Sequence, residues 1–367
     1  MSDAPVLIAA GGTGGHVYPA LAVAETLRQR NIPVVWMGTR EGLEARVVPA
    51  AGFDMEWVSV AGLRGKNLLQ TLTAPLKLLH ACYQAWRIFS RLQPRAVLGM
   101  GGFVAGPGCA MAVMRRCPLF IHEQNSVAGM TNRYMVRFAR QVYTAFPGVF
   151  SLPESRLVET IGNPVRGDIA SLMAPQQRYA SRSGPLRLLV VGGSRGARFL
   201  NQTLPTMVAT LSDDASGQTL LQDIVVRHQS GADDEESVRQ AYQANGINAE
   251  VTAFMDDIAA AYGWADLVVC RAGAMTVSEL AAAGVASVLV PFPYAVDDHQ
   301  SGNARWLSEQ GAAVLYQQSE PLDTLLQTLR SLCRDRNQLQ HMAVQARSLY
   351  LPGAEQRMAQ QLAEVAA

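Results

Sequence analysis

His16 closes the run Gly11-Gly12-Thr13-Gly14-Gly15-His16, which follows the apolar stretch Val6 to Ala10 directly. An imidazole titrates at about 6.5, so at the entrance to a helix it can take a proton from a hydroxyl group; it can equally be a polar residue at a helix start. The glycines let a backbone approach a ligand closely, or they only allow tight helix–strand packing. A second carboxylate-bearing edge is Leu119-Phe120-Ile121-His122-Glu123-Gln124-Asn125, where an apolar run ends in polar side chains. Glu123 is the second candidate proton acceptor, and Asn125 could line a site; turn formation is the simpler role for both. The third stretch is Arg271-Ala272-Gly273-Ala274-Met275-Thr276-Val277-Ser278-Glu279. Thr276 followed three residues later by Glu279 is a capping-box pattern, which predicts a helix N-terminus there. Such a terminus offers unbonded N–H groups to a diphosphate, and Glu279 could accept hydrogen bonds from a ribose diol instead of capping. Arg166, in Gly162-Asn163-Pro164-Val165-Arg166, could reach a phosphate or be an ordinary surface arginine. Gln300 and Asn303 fall on one helical face and could bind hydroxyls.

Several chemistries are excluded by the same motifs. The first glycine run is no phosphate-binding loop of the Walker kind, because no Gly-Lys-Ser/Thr follows. It also misses the dinucleotide fingerprint: Val17 replaces the third glycine, and Val34-Val35-Trp36-Met37 ends in Gly38-Thr39 without an acid for a ribose. A dehydrogenase is disfavoured on both counts. No Asp-x-Asp occurs to hold a metal on a diphosphate, and helix N-termini with Arg166 could balance such a charge instead.

The elements that must position these residues alternate between buried strands and helices. The order is strand, glycine turn, helix from Val6 to Arg30, and again from Leu186 through Gly192-Gly193-Ser194-Arg195-Gly196-Ala197. That echo at domain scale predicts an α/β protein of two doubly wound Rossmann-like domains facing each other across a cleft. The expected division is residues 1–163, residues 164–340, and C-terminal helices over 341–367, the last packing back on the first domain. Pro175 to Pro185 reads as a loose polar connection. Leu68 to Leu92 reads as helical, with Pro75 kinking or splitting it.

At 367 residues the chain exceeds one ordinary core, and 49% hydrophobic with 17% charged residues is a globular composition. A net charge of +1 argues against nucleic acid as a partner. Five scattered cysteines form no CxxC pair, which fits a reducing compartment and no structural zinc. Neither a leader segment nor a membrane-length apolar run is evident. Arg64, Lys66, Lys77, Arg87 and Arg91, with no acid between Arg64 and Arg91, flank apolar residues in a pattern suited to an anionic membrane surface; a solvated basic face on a core helix gives the same pattern.

Taken together, Gly11 to His16, Leu63 to Lys66, Gly99 to Pro107, His122 to Asn125, Gly162 to Arg166, Gly192 to Ala197, Cys270 to Glu279, and Asp298 to Gln300 with Asn303 resemble the GT-B glycosyltransferases of family 28 over essentially the whole chain. The resemblance implies a UDP-GlcNAc-dependent hexosyltransferase of peptidoglycan synthesis. It would pass N-acetylglucosamine, with inversion, to the muramyl 4-hydroxyl of undecaprenyl-diphospho-MurNAc-pentapeptide, converting lipid I to lipid II. No cofactor and no metal is implied. The implied partners are UDP-GlcNAc, lipid I, an anionic membrane surface and other proteins of cell-wall synthesis. The implied location is the cytoplasmic face of the inner membrane, peripherally bound. At matching positions Thr13, Gly14, Gly15 and Asn125 would lie by the diphosphate and sugar, with Arg166 and Ser194 at the phosphates. Met255 would meet the uracil through its backbone. Ala274, Met275, Thr276, Val277, Ser278 and Glu279 would form the donor pocket, and Gln300 would hold sugar hydroxyls. Phe103 stands where some members carry tyrosine, so no phenol enters this reading. A UDP-GlcNAc 2-epimerase and a non-catalytic two-domain nucleotide-sugar binder share the architecture and stay as alternatives.

Overall fold

The computed structural model describes residues 4–60, 74–151, 158–193, 196–212 and 224–365. Two units organise the chain: Met1–Pro164 together with Leu351–Ala367, and Val165–Tyr350.

The first unit is built on a parallel sheet of β1 (Val6–Ala9), β2 (Val34–Gly38), β3 (Asp54–Trp57), β4 (Ala96–Gly99), β5 (Leu119–Glu123), β6 (Gln141–Thr144) and β7 (Val158–Thr160), in the order β3-β2-β1-β4-β5-β6-β7. β1 and β4 are buried along their whole lengths, which is why they read as unbroken apolar runs rather than alternating ones. Val6 to Ala9 pair in register with Val34 to Met37 on one side and Ala96 to Gly99 on the other. Two apolar layers cover the sheet. One holds Ile8, Val17, Leu27, Phe53 and Ile161; the other holds Leu7, Met37, Ile88, Cys109 and Ile121.

The second unit repeats the plan with β8 (Leu186–Val191), β9 (Ile224–Gln229), β10 (Ala249–Thr252), β11 (Leu267–Cys270), β12 (Ala286–Leu289) and β13 (Ala313–Leu315), in the order β10-β9-β8-β11-β12-β13. Every pairing is parallel. Both sheets therefore reverse their winding once, between β1 and β4 and between β8 and β11. These are two Rossmann-like domains.

Some local expectations are corrected. The first helix runs Gly14–Gln29, so Gly14, Gly15 and His16 are its first turn rather than a loop before it. The helix Ala74–Leu92 is described from one residue before Pro75, so the expected split or kink there falls at the edge of the described residues. Leu63 to Lys66 and Leu68 to Leu72 lie outside the described residues. Pro175 starts a helix, Pro175–Ala180, within the segment expected to be loose. The helix Glu44–Ala50 and strand β3 had no counterpart in the sequence reading. The helix Arg336–Ser348 lies wholly in the second unit, and the chain returns to the first unit at Leu351.

The last helix, Ala354–Glu364, packs on Gly14–Gln29 and adds Ala354, Met358, Ala359 and Leu362 to the core beside Ile161. Arg357 pairs with Glu159 of β7 at 2.9 Å on its outer side. Met358 is fully buried, so Met358→Ala should destabilise the first unit by about 2–4 kcal/mol through lost burial plus a cavity. Denaturant unfolding followed by far-UV CD measures this; a change below about 1 kcal/mol would show that the helix is not part of that core.

Candidate functional site

The winding reversal of the first sheet places two glycine turns side by side. Gly102 follows β4 with φ of 75°, and a Cβ there would stand 2.6 Å from the carbonyl oxygen of Gly11. Only glycine therefore lets the β4 turn lie against the β1 turn. Thr13 extends to N-cap the first helix: its carbonyl accepts from His16 N at 3.1 Å and Val17 N at 3.2 Å. The N–H groups of Gly14 and Gly15 precede those bonds and belong to the helix's positive end. The His16 ring is partly exposed, with Nδ1 3.3 Å from Thr13 Oγ1 and its Nε2 edge against Gly101.

Glu123 ends β5 on the same edge, yet its carboxylate is fully engaged. Oε1 accepts from Asn125 N at 3.0 Å and Asn125 Nδ2 at 3.3 Å, and Oε2 accepts from Gly129 N at 3.0 Å and Asn132 Nδ2 at 2.8 Å. Four donors fill the four lone-pair sites of a carboxylate, and only 2% of the residue is exposed. This geometry makes Glu123 the organiser of the turn that presents Asn125 and leaves it no lone pair for a substrate proton. His122 is fully buried. Its Nε2–H donates to Gly162 O at 2.9 Å and Nδ1 accepts from Gln124 Nε2 at 3.1 Å, and burial pushes its pKa down to about 4. A neutral His122 thereby ties β5 to the Gly162 turn.

In the second unit the helix begins at Ala274, two residues before the expected cap. Gly273 is the N-cap, Thr276 lies inside the first turn, and Val277 N bonds Gly273 O at 2.9 Å. Glu279 consequently stands in the second turn, beyond the reach of a capping box. Its Oε2 instead accepts from Tyr262 Oη at 3.3 Å, across from the helix Ile258–Trp264. Burial pushes the Glu279 carboxyl up from 4.5 to about 7; the Tyr262 hydroxyl and the Arg166 charge oppose that shift, and Asp168 adds to it. Ala274, Val277 and Ser278 are buried, whereas Met275 and Thr276 keep partial exposure at the helix's open end.

The remaining residues take distinct places. Arg166 caps the short helix Gly167–Ala170 and pairs with Asp168 at 2.5 Å, with about half of its side chain exposed. Met255 is half-buried just before Asp257, whose carboxylate N-caps the helix Ile258–Trp264 by accepting from Ala260 N at 2.8 Å. Gln300 opens the helix His299–Ser308, and its Oε1 accepts from Phe292 N at 2.9 Å. Asn303 is not beside it as a ligand: it is fully buried and donates to Ala272 O at 3.1 Å, fixing the turn after β11. Arg271, which the sequence reading passed over, bonds Val290 O and Pro291 O at 3.0 Å and Gln318 Oε1 at 2.5 Å, tying the ends of β11 and β12. Ser194 lies outside the described residues.

Two Rossmann-like domains, each with a glycine turn leading into a helix N-terminus where the sheet reverses, are the architecture of the GT-B glycosyltransferases. Residues 6–144 match the glycosyltransferase family 28 N-terminal domain, and residues 187–361 match the glycosyltransferase family 28 C-terminal domain. The chain belongs to glycosyltransferase family 28. It is 54% identical over 351 residues to the UDP-N-acetylglucosamine--N-acetylmuramyl-(pentapeptide) pyrophosphoryl-undecaprenol N-acetylglucosamine transferase of Alkalilimnicola ehrlichii, covering 95% of this chain and 96% of the relative. The transferase of the same name from Nitrosomonas europaea is 49% identical over 354 residues, covering 96% and 97%. Among solved structures, the crystal structure of Acinetobacter baumannii MurG superposes with a TM-score of 0.84 at 40% identity, over 98% of this chain and 99% of that one. The calicheamicin glycosyltransferase CalG4, at 15% identity and a TM-score of 0.69 over 100% and 98% of the two chains, shares the fold.

The raised Glu279 carboxyl has a pH signature. Between 4.5 and about 7 the folded chain holds a proton that the unfolded chain has released, so stability falls as pH rises through that window. Glu279→Gln imitates the protonated acid. It should match the wild type at about pH 5 and exceed it by about 1–2 kcal/mol at about pH 8, a figure reduced for the residue's partial exposure. Thermal melts of both chains at the two pH values measure the gap; an equal gap at both would remove the titration.

Proposed function

We propose that the chain transfers N-acetylglucosamine from UDP-GlcNAc, with inversion, to the muramyl 4-hydroxyl of a lipid-linked N-acetylmuramyl-pentapeptide diphosphate. The observation that carries this reading is the 54% identity, over nearly the full length of both chains, to a transferase named for that reaction. Inversion at the anomeric carbon is a single displacement. The acceptor hydroxyl loses its proton as it attacks, and UDP leaves with the bonding electron pair. His16 is the proton acceptor in this reading. In the tautomer whose Nδ1–H donates to Thr13 Oγ1, Nε2 is the basic nitrogen. Glu123 serves by holding Asn125 and its turn. Gly14 and Gly15 offer backbone N–H groups to sugar or diphosphate. In the donor half, Glu279 accepts from the ribose hydroxyls and the N–H groups from Ala274 to Thr276 face the diphosphate. Val277 and Ser278 back that helix turn. Met255 meets the uracil, Arg166 with Ser194 balances the phosphate charge, and Gln300 holds sugar hydroxyls.

UDP release measured with and without the lipid acceptor tests the reading. Acceptor-dependent release of UDP with a disaccharide-lipid product is expected. ManNAc formation without acceptor would replace it by epimerisation, and UDP-GlcNAc binding without turnover by a non-catalytic role. His16→Ala should lower kcat by about 10²-fold or more with little change in UDP-GlcNAc KM, since general base catalysis contributes about 10²–10⁴-fold; near-normal turnover would remove His16 from the chemistry.

The proposed site of action is the cytoplasmic face of the plasma membrane, peripherally bound, where further cell-wall synthesis proteins would meet it. Among the described residues no helix is long and apolar enough to cross a membrane. What supports surface binding is the helix Ala74–Leu92. Leu76, Leu79, Tyr83 and Trp86 recur at helical spacing and are 69%, 66%, 55% and 44% exposed, with Lys77 and Arg87 exposed beside them. Leu79→Glu should cut co-sedimentation with phosphatidylglycerol vesicles by about tenfold and leave binding of free UDP unchanged. Undiminished sedimentation would assign the stripe another role.

A further inference from the structure

Glu44 is a fully buried carboxylate that neither a capping pattern nor a motif announces. Its Oε2 accepts from the backbone N–H of Gly12 at 3.0 Å; its Oε1 accepts from Thr39 N at 3.0 Å and Thr39 Oγ1 at 2.8 Å. Three glycines make the room for it. A Cβ on Gly11 would stand 2.5 Å from Oε1, one on Gly38 would stand 2.7 Å from Cγ, and one on Gly42 would fall within the carboxylate's own volume. Gly12 itself sits at φ of 98°, and it directly precedes Thr13. The backbone that leads to Gly14, Gly15 and His16 is thus anchored from beneath by a charge-assisted bond, and from the other side by the glycine turn after β4.

We infer that Glu44 is a positioning residue of the transfer reaction: its carboxylate fixes the left-handed Gly12 peptide, and through it the placement of the Gly14–Gly15 N–H groups and the His16 ring. The inference rests on the function proposed above. A buried carboxylate costs stability unless fully hydrogen-bonded, so three donors and three missing side chains around one anion make a built socket. Because Gly12 N–H is consumed by Glu44, a ligand at this turn meets the donors of Gly14 and Gly15. A shift of the turn by as little as about 1 Å can cost about 10²-fold in rate, since the donors and the base must both meet the reacting atoms.

The test is a double-mutant cycle in the full chain with UDP-GlcNAc and the lipid acceptor, read beside hydrogen exchange of the peptide that contains Gly12. Glu44→Gln keeps the volume but turns an N–H2 toward one of its donors. It should lower kcat by about tenfold or more with UDP-GlcNAc KM within about threefold, and speed exchange at Gly12. In a His16→Ala background the same substitution should cost less than about threefold, because the group it positions is gone. Gly42→Ala drives a methyl group into the carboxylate without touching its chemistry and should reproduce both effects, which covers a Glu44→Gln chain that fails to fold. Equal fold-losses in the two backgrounds would mean a general structural role and overturn the inference. So would unchanged protection of the Gly12 amide in either variant, a readout that needs no turnover. A wild-type chain that releases no UDP would count against the transferase reading, and the exchange result would still decide whether Glu44 holds the turn.

Discussion

A parallel sheet opens a crevice along its carboxyl edge where its winding reverses, and the candidate site of this chain is built on that constraint. On either side of the reversal the connections leave toward opposite faces, so the turns after β1 and β4, and the turn after β11, border that crevice. Each of these turns must change direction within a few residues. Gly102, pressed against the Gly11 carbonyl, shows how closely two such turns approach. The second unit uses the same arrangement: Gly273 caps its helix, and Asn303 and Arg271 fix the carbonyls around it.

Three glutamates on these edges illustrate how environment divides the work of one side chain. Glu44 and Glu123 are both buried, and protein donors replace the water each has lost, so each serves as a rigid anion that fixes a turn. Among the described residues Glu279 has one neutral hydroxyl as its hydrogen-bond partner, and burial leaves its carboxyl pushed up to about 7. An under-solvated carboxylate has capacity left for a further donor, and a sugar diol supplies two. The difference lies in the count of N–H groups around each acid. Sequence spacing does not carry that count.

The fold was legible because strands buried on both faces are written as unbroken apolar runs, and glycine turns punctuate them: Val6 to Ala10, Leu186 to Val191 and Leu267 to Cys270 all became central strands. Helix starts were less legible. Thr276 and Glu279 carry a capping box in their spacing, but Gly273 begins the helix, and the tertiary partner Tyr262 takes the carboxylate. Glu44 left no local signal, since its donors come from Gly12 and Thr39, 32 and 5 residues away, and its space comes from three glycines. Asn303 beside Gln300 read as a second sugar contact because helical spacing shows which residues share a face but not which way that face turns; burial gave it to the Ala272 carbonyl.

The helix Ala74–Leu92 carries the same ambiguity at larger scale. Ala81, Ala85, Ile88 and Phe89 are buried against the sheet, so one apolar face is accounted for by the core. A single amphipathic helix needs no second apolar face, yet Leu76, Leu79, Tyr83 and Trp86 form one. Leaving four large apolar side chains in water forfeits burial worth about 1.5–3 kcal/mol for each that a surface could cover. Two apolar faces on one helix, with Lys77 and Arg87 at the exposed rim, fit a helix that serves the core on one side and an anionic lipid interface on the other. In the proposed surface binding the core face governs folding and the exposed face governs membrane attachment, so substitutions on the two faces have separable consequences.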